Sequence, residues 1–329
     1  DKYYSRNSVA EVYKQIVTDL LDAEKFLKDV PKKSMWRADI NAVRLMLSRV
    51  YLYMCLYEEA EKYAALVTEN GPQLEDLNSF SGKEFLSTNL SELIFSTGAS
   101  SLPGNVTFYS RNDGTEPGFV SGNDMRISNE LYEAYNPRNP IDLRLQYFVL
   151  DYDGSIRYRK LQGETFQTTD LSDVFLMRTA EAWLNLAEAA ACAGDEPTAR
   201  KALNTLREKR IKREFFDESE VNGLTGENLV QFIREERRRE LCLEGHRWFD
   251  LRRYRVAEKY PQEVTVEHVY VNKTYNSSTY EYETLWIRKF VLTTDDPAWV
   301  MPLPKAEIDK NTGMLDNPRN ERGYEDVNN

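Results

Sequence analysis

The stretch from 237 to 254 constrains the fold of this chain more than any other. It reads Arg-Arg-Arg-Glu-Leu-Cys-Leu-Glu-Gly-His-Arg-Trp-Phe-Asp-Leu-Arg-Arg-Tyr, which interleaves acids and bases with large aromatic rings. Glu240, Glu244 and Arg247 stand three or four positions apart, so one continuous helix would put them on one face. This density of charged and aromatic residues predicts a network of ion pairs buried beneath other helices, because a buried charge left without its partner is costly.

The same stretch is expected to end a single helix that runs from about Glu227 to Tyr254. Gly245 removes a side chain from that helix, which indicates that another element approaches closely there. His246 lies beside Glu244, where a hydrogen bond on the helix face is favoured over a catalytic role.

Two segments match the helical-hairpin pattern of tetratricopeptide repeats, which spans roughly 34 residues. In the first, the characteristic positions are occupied by Leu47, Ser48, Tyr51, Ala60, Ala64 and Pro72. In the second, they are occupied by Trp183, Leu186, Ala187, Ala190, Gly194, Asp195 and Ala199. Small residues allow two helices to cross closely, and Gly194 can supply a left-handed turn between them. The chain is therefore expected to be mostly α, built on tetratricopeptide-like hairpins with a long loop-rich insert and minor β-hairpins.

The insert between the hairpins, 73–172, is rich in glycine, asparagine, serine and aromatic residues. Because repeat units stack on their neighbours, an insertion of this length projects as loops on one side. Inside it, the patterns of 145–150 and 156–161 predict two strands of a small β-hairpin. The turn between them, Asp151-Tyr152-Asp153-Gly154, lacks the later ligands of a calcium loop, so a tight turn is favoured.

The segment from Val264 to Thr293 is enriched in β-branched and aromatic residues, and Pro302 and Pro304 follow it. These features predict irregular or β-like structure followed by an extended tail. The chain is thus divided into the first helices and hairpin, the insert, the second hairpin with the charged helix, and an irregular end: 1–72, 73–172, 173–260 and 261–329.

Composition excludes several classes of function. The formal net charge of −11 opposes binding to phosphate backbones, so a nucleic-acid partner is not expected. No apolar run approaches the ~20 residues that span a bilayer. We expect no signal peptide within this sequence, because its first residues lead directly into a predicted amphipathic helix. Two histidines, and three cysteines without a Cys-x-x-Cys motif, indicate neither a metal site nor a disulfide framework. We therefore expect no metal and no other cofactor.

Catalysis is weighed against a structural role at Glu240 and Glu244. Paired carboxylates suit glycoside hydrolysis, and 54 acidic residues leave other pairs open. The surrounding arginines favour two ionised carboxylates, whereas a general acid needs a raised pKa. A structural network is favoured, and an all-helical glycoside hydrolase stays open as an alternative. So does a tetratricopeptide-type scaffold that grips a peptide, although the long insert argues against it.

Four motifs, in a consistent order, resemble those of the SusD/RagB family of Bacteroidetes surface lipoproteins. The charged stretch is similar to the family signature E-R-R-x-E-L-x-x-E-G-x-R-x-x-D-L-x-R, which 236–253 matches. The other similar segments are Ser128–Tyr135 with Asp142–Arg144, Leu176–Glu181 with Ala187–Ala189, and Met301–Ile308 with Asn317–Pro318. Signature residues in this family are scaffold. Those expected to form it here are Arg178, Glu181, Glu188, Arg238, Glu240, Glu244, Gly245, Arg247, Asp250 and Arg253.

The resemblance implies a non-enzymatic protein that captures oligosaccharides and polysaccharides for a SusC-like TonB-dependent transporter. It also implies a place on the extracellular face of the outer membrane, held by an N-terminal lipid anchor. Family members usually carry a lipid-bearing cysteine and a longer segment before the first hairpin. We therefore expect the anchor to lie outside this chain.

In the family, the helical hairpins meet the transporter and the loops inserted between them bind sugar. The resemblance therefore places the ligand surface of this chain between about Ser100 and Thr168. The candidate stacking rings are Tyr109, Phe119, Tyr147, Tyr152 and Tyr158. The candidate hydrogen-bonding residues are Arg111, Asn112, Asp124 and Arg126.

Overall fold

The structure is a computed structural model that describes residues 5–82, 85–97, 127–149, 160, 176–311, 313–317 and 319–327, with the backbone of 150–152 and 155–158. Its helices are Val9–Leu27 (α1), Ile40–Tyr53 (α2), Tyr57–Asn70 (α3), Asn129–Glu133 (α4), Arg144–Phe148 (α5), Thr179–Ala193 (α6), Glu196–Glu208 (α7), Ser219–Asn222 (α8), Gly226–Glu240 (α9), Arg247–Tyr254 (α10) and Lys305–Lys310 (α11). The expectation of a mostly α fold is confirmed. None of these helices is both long enough and apolar enough to cross a bilayer.

The described strands form three small antiparallel sheets. They are Leu93–Ser96 (β1), Val149–Tyr152 (β2), Ser155–Tyr158 (β3), Leu176–Arg178 (β4), Val266–Asn276 (β5), Glu281–Leu292 (β6) and Glu325–Asp326 (β7). β1 pairs with β4, β2 pairs with β3, and β6 lies between β5 and β7.

Contacts group the chain into two units. One is Tyr13–Arg247, and the other combines Asp1–Val12 with Trp248–Asn329. The division into four parts along the sequence stays a prediction.

The two helical hairpins, far apart in sequence, stack side by side in the first unit. α2 packs on α3, α3 on α6, and α6 on α7. Ala60 of α3 and Ala189 of α6 are fully buried in one apolar cluster, which permits the close approach that the small residues predict. Gly194 ends α6 with φ of 99°, and Asp195 then caps α7 by accepting a hydrogen bond from the Thr198 amide. The tetratricopeptide-like architecture is confirmed.

The first strand of the small hairpin in the insert is displaced from its predicted position. β2 and β3 pair as expected, with Tyr152 opposite Ser155, but the predicted strand 145–150 is wrong over 145–148. Those residues belong to α5 instead. Asp142 accepts a hydrogen bond from the Arg144 amide at 3.0 Å, and Phe148 is fully buried against Phe85, so this local hydrogen bond and the burial override the strand pattern.

The charged stretch is two helices rather than one, so the single helix predicted from Glu227 to Tyr254 is wrong. α9 ends at Glu240 and α10 begins at Arg247, with Leu243 and Gly245 between them at φ of 63° and 84°. A Cβ added to Gly245 would meet nothing within 4 Å. The glycine therefore serves a left-handed backbone rather than a close approach, which corrects the prediction.

The β-like character predicted for 264–293 is confirmed in the second unit. β5 and β6 form a long hairpin with an irregularity between Asn272 and Lys273. In the same unit, Trp299 is fully buried and its indole nitrogen donates a hydrogen bond to the Thr293 carbonyl at 2.7 Å.

Candidate functional site

A cluster of buried charges holds the insert onto the helical hairpins. Arg178, at the end of β4, is 1% exposed and donates through Nε and Nη2 to the two carboxylate oxygens of Glu244, both at 2.8 Å. Its Nη1 donates to Glu240 and Glu92, both at 2.6 Å. Its Nη2 also donates to the Glu240 carbonyl at 2.7 Å. One guanidinium thus joins β4 and the end of α9 to Glu92 of the insert.

Arg210, just after α7, makes the second set of bonds to the same carboxylates. It is fully buried and donates through Nε to both oxygens of Glu240, at 3.0 and 3.2 Å. Its Nη2 donates to Glu92 at 2.8 Å, and its Nη1 to the Glu75 carbonyl at 2.5 Å. Glu92 therefore lies between two guanidiniums, which offsets the cost of burying its charge.

Two cations of the insert complete the cluster. Arg144 is held by Asp142, at 2.7 and 2.9 Å, and donates to Glu240 at 3.1 Å. Lys160 donates to the Glu240 carbonyl at 2.5 Å and pairs with the carboxylate of Glu244. Both cations are fully buried. We call Glu92, Arg144, Lys160, Arg178, Arg210, Glu240 and Glu244 the central ion cluster.

The cluster keeps its carboxylates ionised. Burial alone would raise the pKa of Glu240, but Arg210, Arg178 and Arg144 outweigh it and hold that pKa well below its usual range. Burial also opposes the charge of Glu244, yet Arg178 and Lys160 lower its pKa to about 2. A carboxyl group in this state cannot act as a general acid near neutral pH.

The structure brings together only part of the expected scaffold set. Arg178, Glu240 and Glu244 meet in the central ion cluster. Glu181 instead pairs with Arg49 at 2.6 Å.

Elsewhere in the first unit, Glu188 pairs with Arg234 at 3.1 Å. Arg238 lies at the surface, 3.4 Å from Glu130. In the second unit, Asp250 pairs with Arg253 at 3.0 Å and both are buried. Gly245 and Arg247 belong to the turn between α9 and α10 and to the start of α10.

Four members of the cluster were not identified as network residues in the sequence: Glu92, Arg144, Lys160 and Arg210. Their partners lie 30 to 118 residues away along the chain, so helical spacing carries no trace of the contacts. Arg144 belongs to the Asp142–Arg144 motif, which was a usable signal. Glu92 stands at the start of an apolar strand, where an acid is unusual.

Most of the candidate ligand residues fall outside the described residues. These are Tyr109, Arg111, Asn112, Phe119, Asp124 and Arg126. Tyr152 and Tyr158 belong to β2 and β3, of which the backbone is described. Tyr147 is half-buried, lies edge-on to Phe80 with ring centroids 5.0 Å apart, and donates its hydroxyl to the Phe80 carbonyl at 3.2 Å.

An open groove of about 550 Å³ lies in the insert beside that ring pair. Its walls carry hydroxyl, amide and carboxylate groups around one aromatic ring: Glu75, Ser79, Phe80, Ser81, Gly82, Ser87 and Asn89. Size and lining suit a small polar ligand with an apolar face. Within the described ranges, no group of three histidine, cysteine or acidic residues could hold a metal ion.

Acid should destabilise the protein through the central ion cluster. The pKa of Glu244 falls from the usual 4.5 to about 2 in the folded chain, so its contribution to stability is complete above pH 4.5 and is lost as pH falls toward 2.

Glu244→Gln should lower the free energy of unfolding near neutral pH by about 3–5 kcal/mol, because two buried cations lose a carboxylate. Urea unfolding across this pH range measures both effects.

The matched control is Glu235→Gln on α9, since the side chain of Glu235 is 43% exposed and lies 3.6 Å from Arg238. We expect this variant to keep the stability and the acid dependence of the unmodified protein. Unchanged stability in Glu244→Gln would contradict a locking role for the cluster.

The sequence model of the SusD family (SusD/RagB) matches residues 62–324, which is more than half of the chain. The comparison with curated proteins found no match.

Several solved structures share the fold. The "Putative sugar binding protein" of Bacteroides vulgatus is 27% identical with a TM-score of 0.70, over 97% of this chain and 67% of that one. A SusD superfamily protein of Bacteroides thetaiotaomicron is 22% identical with a TM-score of 0.70, over 97% of this chain and 68% of that one.

A SusD-like carbohydrate binding protein, also of B. vulgatus, is 21% identical with a TM-score of 0.55, over 84% of this chain and 58% of that one. The chain thus spans roughly 58% to 68% of these proteins. The match to the family model, together with the stacked hairpins, shows that this chain belongs to the SusD/RagB family.

Proposed function

We propose that this protein binds oligosaccharides or polysaccharides at the cell surface of a bacterium. Membership of the SusD/RagB family is the observation that carries the proposal. The two similar B. vulgatus proteins, which are named for sugar and carbohydrate binding, support it.

The insert is the proposed binding surface. Its described part offers the groove around Phe80, where a ring, hydroxyls and an amide converge. A saccharide presents C–H faces that pack on rings and hydroxyls that exchange hydrogen bonds with such groups. The central ion cluster fixes the insert at Glu92, Arg144 and Lys160, so the surface is held before ligand arrives, which lowers the entropic cost of binding.

Binding without hydrolysis is the proposed mode. Retaining and inverting glycosidases need one carboxyl group with a raised pKa, which stays protonated to act as the acid. Glu240 and Glu244 have lowered pKa values and are saturated by cations, so this pair does not meet the requirement.

The proposed partner is a SusC-like TonB-dependent transporter of the outer membrane, which receives the bound glycan. The stacked hairpins α2–α3 and α6–α7 are the proposed contact with the transporter, and a lipid anchor outside this chain is the proposed attachment. These assignments rest on the family alone.

Glycan binding is tested by affinity gel electrophoresis with soluble starch, xylan, mannan, arabinogalactan and levan in the gel. We expect at least one polysaccharide to retard the protein, and Tyr109→Ala and Tyr147→Ala to weaken that retardation by about tenfold in affinity. Tyr147→Phe keeps the packing on Phe80 and separates loss of the ring from loss of the hydroxyl.

Phe26→Ala is the control, because this ring is 81% exposed on α1 and lies outside the insert. It should bind as the unmodified protein does. Release of reducing ends from the retarding polysaccharide would contradict the non-enzymatic proposal. Full affinity in both tyrosine variants would exclude those rings from the site.

If the protein passes glycan to a transporter, we expect the two proteins to form a stable complex. Co-expression with a SusC-like TonB-dependent transporter of the same bacterium should give a complex that co-purifies from detergent-solubilised outer membranes. The same purification with an unrelated TonB-dependent transporter is the control. Equal recovery with both transporters, or with neither, would contradict the assigned partner.

A further inference from the structure

One face of the β5–β6 hairpin carries a row of aromatic rings. His268, Tyr270 and Asn272 of β5 stand opposite Phe290, Arg288 and Trp286 of β6, and residues opposite each other in an antiparallel pair share a face. Tyr324, next to β7, joins the same row against Arg288 and Phe290. We call His268, Tyr270, Trp286, Arg288, Phe290 and Tyr324 the aromatic ladder.

The rungs of the ladder are in contact. Ring centroids are 6.5 Å apart between His268 and Tyr270, 5.5 Å between Tyr270 and Trp286, and 6.1 Å between Phe290 and Tyr324. These separations lie in the usual range for paired aromatic side chains. The rings therefore form two groups, one of His268, Tyr270 and Trp286 and one of Phe290 and Tyr324, which Arg288 joins into one strip.

Arg288 fixes the middle of the strip. Its guanidinium carbon lies 4.3 Å from the centroid of Trp286 and 3.8 Å from that of Tyr324. Its Nε also donates to Asp326 at 3.3 Å. A planar cation held between two rings restricts their rotation, so the strip is ordered in advance of any ligand.

Part of the strip faces solvent. Tyr270 and Tyr324 are each 48% exposed, although both take part in ring contacts. Cross-strand pairs stabilise a hairpin by about 0.2–1 kcal/mol each, and a two-stranded hairpin alone is marginal in water, so the ladder has a structural role as well. Stability of the hairpin alone does not require large aromatic rings that stay half exposed, because cross-strand pairs of β-branched residues would also stabilise it.

We propose that the aromatic ladder is a second carbohydrate-binding site, which takes a neutral polysaccharide chain through stacking on Tyr270 and Tyr324. This goes beyond the proposed function, because the ladder belongs to the unit that contains Trp248–Asn329 and the insert does not.

Charge selects the class of ligand. The chain carries a formal net charge of −11, which opposes nucleic acids and acidic polymers. The guanidinium of Arg288 already has Asp326 as its partner. The tyrosine hydroxyls and the Asn272 amide at the edges of the rings suit the uncharged hydroxyls of a neutral glycan.

The test compares ring substitutions in the full chain, with the same five soluble polysaccharides in affinity electrophoresis. The double variant Tyr270→Leu/Tyr324→Leu keeps apolar side chains at both positions but removes the flat rings. We expect it to lose about tenfold in affinity for the retarding polysaccharide while its melting temperature stays within a few degrees of that of the unmodified protein. Tyr280→Leu is the control, because this 79% exposed ring lies in the hairpin turn outside the ladder.

A second double variant tests whether the aromatic rings themselves are needed for binding. Tyr270→Phe/Tyr324→Phe keeps both rings, so it should retain most of the affinity. Affinity of the folded Leu variant equal to that of the unmodified protein overturns the ladder site and leaves the insert proposal intact. Loss of affinity in the Phe variant equal to that in the Leu variant overturns stacking as the mode of binding. An unmodified protein that none of the five polysaccharides retards overturns both proposals.

Discussion

The rest of the structure depends on the buried carboxylate of Glu240, which accepts hydrogen bonds from Arg144, Arg178 and Arg210. These three cations come from the insert, from the strand before α6, and from the end of α7. An anion with several converging guanidiniums repays its desolvation in a way that one ion pair rarely does.

This cluster explains how the stacked hairpins hold the described part of the insert in one arrangement. Loops are normally the variable, mobile part of a domain, and binding surfaces on loops need a rigid support. Here the insert is tied to the helices by Glu92, Arg144 and Lys160, and by apolar packing of Phe85 and Phe148 beneath the charges.

Sequence reasoning reached the architecture and part of the site. Small residues such as Ala60 and Ala189 and the turn at Gly194 marked the stacked hairpins correctly, because close helix crossing and a left-handed turn depend on local residue types. Glu240 and Glu244 were recognised as network members for the wrong reason, since a turn with left-handed backbone separates them. Lys160 and Arg210 were missed because ion pairs between distant segments leave no periodicity.

The most direct test of the lock is amide hydrogen exchange in Lys160→Met, read by mass spectrometry beside the unmodified protein and Lys62→Met, whose lysine is exposed on α3. The account predicts that exchange in 85–97 and 144–149 quickens by about tenfold or more, because local opening there loses the bonds to Glu240 and Glu244. Exchange in α2 and α3 should stay the same in all three proteins. Unchanged exchange in the insert, or equal acceleration throughout the chain, would contradict the claim that buried ion pairs hold the insert to its scaffold.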